Sequence, residues 1–170
     1  MIARLFVVAL ATIICLGAAS NATAQNNSAT TKQRAISGGI TAEVPDFIPV
    51  GQHGCKVLLF HPGFHHLTGS IEGSFVEDGY FLLDKCTGEG FYYVTAAFTG
   101  TVLGSEPGTA TFKADGRIRN STIIDLGHFT LVDGMGGLEG VTASGTFNFT
   151  MGKGGEFLGF AFIEKDKKAK

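Results

Sequence analysis

The sequence predicts an all-β domain, an eight-stranded antiparallel β-barrel, and three observations carry that prediction. First, Val141–Met151 alternates almost perfectly, with Val141, Ala143, Gly145, Phe147, Phe149 and Met151 on one side and Thr142, Ser144, Thr146, Asn148 and Thr150 on the other. A period of two is the mark of a strand, and an apolar ladder opposite a polar one describes a strand with one face buried. Second, turn-forming pairs such as Asp78-Gly79 and Asp115-Gly116 recur at short intervals. Third, no stretch after the N-terminal leader carries a helical period. Many short strands in one small domain favour closure, because a closed sheet has no free edge to aggregate. A two-sheet sandwich is the alternative.

The chain begins with Met1–Arg4, which carries one cation, followed by the apolar run Leu5–Ala19 and the small-residue site Ala22-Thr23-Ala24. The run is short for a bilayer span and the cleavage pattern follows it, so residues 1–24 read as a secretory signal peptide cut before Gln25. The expected location is secreted or periplasmic, with no stable membrane insertion after cleavage. Residues 25–34, rich in Asn, Ser, Thr and Ala, read as a disordered leader. Residues 35–164 form the barrel domain, and residues 165–170 a charged tail. Removal of the leader leaves two cysteines, Cys55 and Cys86. An even pair in an exported chain predicts one disulfide. The net charge of −2 with 16% charged residues supplies no basic stripe, so nucleic acid is not an expected partner. Oligomeric state is not readable from the sequence.

Within the domain, Ala35–Val44 reads as the first strand, ended by Pro45, and Asp46–Gly54 as a loop. Lys56–Phe60 is a short apolar strand broken by His61-Pro62-Gly63. Leu67–Val76 alternates, Glu77-Asp78-Gly79 reads as a hairpin turn, and Tyr80–Asp84 returns. Phe91–Val102 is a long strand, with Tyr93, Thr95, Ala97 and Thr99 opposing Tyr92, Val94, Ala96, Phe98 and Val102. Thr109–Asp115 follows. Ile123–Met151 then holds two strands joined by the glycine-rich turn Gly134–Gly140, and Glu156–Glu164 is the last strand. The tally is about eight. Glycines and alanines inside the strands suit the bends of a small barrel.

Few residues point to chemistry. His61, His65 and His66 cluster in sequence, but adjacent strand residues face opposite sides and His61 to His65 spans about 13 Å of extended chain. The spacing therefore predicts surface or loop histidines and no metal site, with nothing requiring His53 to join them. Tyr80, Tyr92, Tyr93 and His128 could present polar atoms at a barrel mouth. Asp125 shares the strand parity of Ile123, Phe129 and Leu131, so a buried carboxyl group with a raised pKa is conceivable there. The expected ligand-binding residues are Tyr80, Tyr93, Asp125, His128, Phe147 and Phe149. Nucleophile-elbow, zincin and phosphate-loop motifs are absent from the sequence. No catalytic residue and no cofactor is therefore assigned.

Phe98–Gly116 and His128–Phe147, with glycines and aromatics at Phe98, Gly100, Gly104, Gly108, Phe112, Gly145 and Phe147 around the Gly134–Gly140 turn, resemble an uncharacterised family of small barrel proteins related to the allene oxide cyclase and dirigent barrels. The likeness covers about Leu67–Ile163. It implies an allene oxide cyclase-like barrel and carries over no activity. The chain has no Trp and so lacks the lipocalin signature. Its 15 Phe residues exceed what a small barrel easily buries. The expected function is binding of a small apolar or aromatic ligand. The alternatives are a cyclase or isomerase acting on a lipid or phenolic intermediate, and a structural protein with a filled barrel.

Overall fold

The computed structural model of the protein describes residues 31–43 and 47–164. The expected signal peptide, residues 25–30 of the expected leader and the expected charged tail lie outside them. The described chain is a nine-stranded antiparallel sheet: β1 (Thr31–Glu43), β2 (Ile48–His53), β3 (Lys56–Gly69), β4 (Ile71–Asp84), β5 (Glu89–Val102), β6 (Gly108–Arg119), β7 (Ile123–Gly136), β8 (Val141–Thr150) and β9 (Gly154–Glu164). Strands β3 to β9 follow one another as hairpins. The first strand then pairs with β9 along Thr31–Ile40 and with β3 along Gly38–Glu43. That double pairing bends the sheet into a ring of eight strands, and β2 hangs outside the ring on the first half of β3.

Alternation sorts the ring into an inside and an outside. Val94, Ala96 and Phe98 of β5, Ala110, Phe112 and Ala114 of β6, and Val141, Ala143, Phe147 and Phe149 of β8 are all buried in one continuous core. Their polar neighbours face solvent. Rings stack across the interior, Phe75 on Phe112 with centroids 4.4 Å apart and Phe112 on Phe129 at 6.0 Å. Such pairs add about 0.5–1.5 kcal/mol each beyond simple burial.

Four features depart from the sequence reading. The first strand begins at Thr31, inside the stretch expected to be leader. Asp46–Gly54 is not all loop, since Ile48–His53 forms β2 with a bulge between Pro49 and Gly51. His61-Pro62-Gly63 does not break its strand and Glu77-Asp78-Gly79 does not turn. Instead, β3 and β4 are unbroken partners from Lys56↔Asp84 to Leu67↔Gly73, and the chain reverses at Ser70. Pro62 is tolerated because β2 covers β3 only to Phe60 and β1 covers it only from Phe64. Among the described residues, neither ladder calls on the missing N–H of Pro62.

The disulfide expectation agrees with the geometry. Cys55, in the β2–β3 turn, and Cys86, in the β4–β5 turn, are bonded with Cα atoms 5.6 Å apart, within the usual range. The two turns are also joined by the Lys85 N–H donating to the Cys55 carbonyl at 2.8 Å. Among the described residues no helix is long and apolar enough to cross a membrane. The Cys55→Ser/Cys86→Ser double variant should lose about 3–4 kcal/mol in denaturant unfolding, the loop-closure entropy of a bridge across 31 residues. An unchanged midpoint under oxidising conditions would show that the bridge constrains nothing.

Candidate functional site

Among the described residues the interior holds one polar cluster, built from three neighbouring strands. On β3, His61, Gly63 and His65 point inward in turn; on β4, Glu77 lies directly opposite Gly63. Tyr92 on β5 completes the group. All four side chains are withdrawn from solvent, with Glu77 1% exposed and His61, His65 and Tyr92 each 6% exposed.

Two glycines make the arrangement possible. A β-carbon on Gly63 would lie 2.9 Å from Glu77 Cγ, 2.9 Å from His65 Nε2 and 3.0 Å from His61 Nε2. The empty position lets the imidazoles lean toward each other and the Glu77 side chain cross above it. A β-carbon on Gly79 would likewise press on Glu77 Oε1 at 3.0 Å.

The resulting contacts are specific. The Tyr92 hydroxyl donates to Glu77 Oε2 at 2.7 Å. His61 Nε2 sits 3.5 Å from Glu77 Oε1, and His65 Nε2 sits 3.3 Å from Glu77 Oε2. Neither imidazole contact has hydrogen-bond geometry. His65 Nε2, Glu77 Oε1 and the Nδ1 atoms of both histidines have no hydrogen-bond partner among the described residues. Such groups cost stability when buried unpaired, so the cluster is not what a core built only for stability would contain. Burial lowers the pKa of His61, against the opposing pull of Glu77, with His65 lowering it further. Burial, reinforced by the Glu77 charge and the hydrogen bond to it, raises that of Tyr92 well above its usual value, so its hydroxyl keeps its proton.

Aromatic rings enclose the cluster. Phe47 stacks on His61 with centroids 4.6 Å apart, and Phe75 stacks on His65 at 4.9 Å. Phe81 and Phe149 present edges to His61 and His65. Beside the cluster lies a cavity of about 40 Å³, walled mostly by apolar side chains that include Phe112, Ala114, Phe129 and Phe147. Phe47 and Met151 are the partly exposed members of its wall, which places its rim at their end of the ring.

The residues expected from sequence divide sharply. Phe147 and Phe149 line this cavity. Tyr80 and Tyr93 pair with each other on the outer face, 45% and 55% exposed. His128 is exposed beside Asp115, 3.6 Å away. Asp125 also faces out, bridging Arg119 at 3.2 Å. The reason is a bulge between Ile124 and Gly127, with Leu126 at φ 51° and its N–H held by Asn148 Oδ1 at 3.2 Å. The extra residue reverses the alternation, so Ile124 and Phe129 are both inside although their numbers differ in parity. His61 and His65, expected on the surface, are buried instead. Backbone separation alone misjudged them, because leaning side chains close the distance that the strand opens. Glu77 was hidden in an apparent turn.

A small closed antiparallel sheet with one polar cluster in an apolar interior is thus the setting for the comparisons. No family model matches the chain. No curated protein matches it either. Among solved structures it is similar to a protein of unknown function from the DUF3224 family of Shewanella oneidensis MR-1. The TM-score is 0.58 at 17% sequence identity, covering 79% of this chain and 99% of that one. At that identity the likeness is one of fold.

Gly63→Ala should destabilise the protein by about 1–3 kcal/mol, the usual cost of overpacking a filled interior. Gly51→Ala, where an added β-carbon meets nothing within 4 Å, should change little. Equal midpoints for the two variants in urea unfolding would contradict the tight packing over Gly63.

Proposed function

We propose that the ring is an allene oxide cyclase-like barrel, exported from the cell, that holds one small and largely apolar or aromatic molecule. The molecule lies in the interior, with a polar atom of its own turned toward Glu77, His61 and His65. The observation that carries this reading is the combination of an apolar chamber with a single group of convergent polar atoms, the usual make-up of a small-molecule site. Eight-stranded barrels have room for their own side chains or for one small ligand. A volume of about 40 Å³ accommodates a few water-sized groups. The occupant is therefore small, or it enters by displacing Phe47 and Met151 at the rim. Export is supported by the Cys55–Cys86 bond and by the leader sequence.

A second reading is a cyclase or isomerase acting on a lipid or phenolic intermediate. It is favoured by the presence of an acid/base-capable carboxyl group and two imidazoles inside an apolar chamber, where proton transfer is effective. Under it, Glu77→Gln abolishes turnover and leaves binding in place. The third reading, a barrel filled for structural purposes, leaves the unpaired polar atoms without a purpose.

The test is titration with a solvatochromic apolar dye, with mass spectrometry of an organic extract of the purified protein. Dye binding should be saturable, and Ala114→Leu, which fills the chamber, should weaken it at least tenfold with the circular dichroism spectrum unchanged. Unchanged dye affinity in Ala114→Leu, or no bound dye and an empty extract, would contradict the proposal.

A further inference from the structure

We infer that His61, His65 and Glu77 form a binding site for a divalent transition-metal ion of the zinc type, with a further coordination position open to the apolar chamber. The inference concerns the same chamber and stands whether or not an organic molecule enters it. It also runs against the sequence expectation that these histidines bind no metal.

The donor set comes first. Two imidazole nitrogens and a carboxyl group suit zinc, cobalt or iron(II), and not magnesium or calcium, which prefer all-oxygen shells. Three protein ligands with one position left over are the usual arrangement of a reactive rather than a structural zinc site. The geometry comes second. One ligand atom from each of the three residues can be chosen so that all lie within 4.8 Å of one another, and the Nε2-to-oxygen separations are 3.5 and 3.3 Å. Bonds of about 2.0–2.1 Å to a tetrahedral ion place its ligands roughly 3.3–3.4 Å apart. The same separations serve poorly as hydrogen bonds, and His65 Nε2 and Glu77 Oε1 have no other partner. Ligand atoms gathered this closely without bonding each other suit a shared third partner.

The surroundings agree. Tyr92 donates to Glu77 Oε2 at 2.7 Å, the type of supporting bond that orients a ligating carboxylate. Phe47 and Phe75, stacked on the two imidazoles, fix the ring planes. The absence of a side chain at Gly63 is what keeps the centre of the cluster clear. The other close set of ligand-type residues among the described residues, Cys55, Asp84 and Cys86, has its sulfurs bonded to each other.

The experiment uses the purified protein, stripped with a chelator and titrated with zinc by calorimetry and with cobalt(II) by visible absorption. The expected result is one ion per chain at micromolar affinity or better, with the intense ligand-field bands of low-coordinate cobalt. His61→Ala, His65→Ala and Glu77→Gln should each weaken binding at least tenfold. The exposed neighbours His53→Ala and His66→Ala should leave it unchanged. X-ray absorption of the zinc-loaded wild type, which needs no variant to fold, should show two imidazoles and oxygen ligands. No saturable binding to the folded wild-type protein, or affinity that survives the His61 and His65 substitutions, or a zinc spectrum without imidazole, would overturn the inference.

Discussion

The first strand is the constraint on which the rest of this molecule depends. Seven strands in hairpin succession would form an open, twisted sheet with two edges and both faces wet. β1 pairs with β9 over one part of its length and with β3 over the other, and so closes the ring, while β2 lies on the first half of β3. Closure converts one face into an interior from which water is excluded. Inward-pointing Ile36 and Ile40 bring β1 into the same core as the Phe residues of β4, β6 and β8. The apolar burial and the backbone pairing therefore reinforce one another.

A dry interior raises the stakes of every polar atom placed in it. The sheet places three ligand-type side chains around Gly63, stacks aromatic rings on the two imidazoles, and supplies a single hydrogen bond from Tyr92. A hydrophobic residue at position 77 would be cheaper for folding, since buried polar groups with unmatched atoms reduce stability. Such a local conflict between packing and chemistry is the expected mark of a site that acts. Elsewhere the ring avoids conflict by placing glycine beneath aromatic rings: a β-carbon at Gly127 would collide with Phe147.

Much of this was legible in the chain. The alternation of Val141–Met151 placed Phe147 and Phe149 on a buried face, and the even count of two cysteines after residue 24 pointed to their pairing. What failed did so for physical reasons. Pro62 and Asp78-Gly79 are turn-forming locally, yet tertiary pairing carried both strands straight through them. The bulge at Leu126 reversed the parity that had put Asp125 inside. The histidines were judged by the rise of the strand, while the residue between them was the informative one, because a glycine flanked by inward-facing residues leaves a hole that a neighbouring strand can fill. Glu77 follows directly on the alternation of Leu67–Val76 and shares the parity of Phe75, but the Asp-Gly pair after it assigned it to a turn.

The most direct test of the account is a crystal structure of the protein. It should show β1 bridging β9 and β3, and the Glu77 carboxyl group lying over Gly63 inside the ring, flanked by the two imidazoles and held by Tyr92. An open sheet, or a ring in which Glu77 turns outward and the interior is lined by hydrocarbon alone, would contradict it.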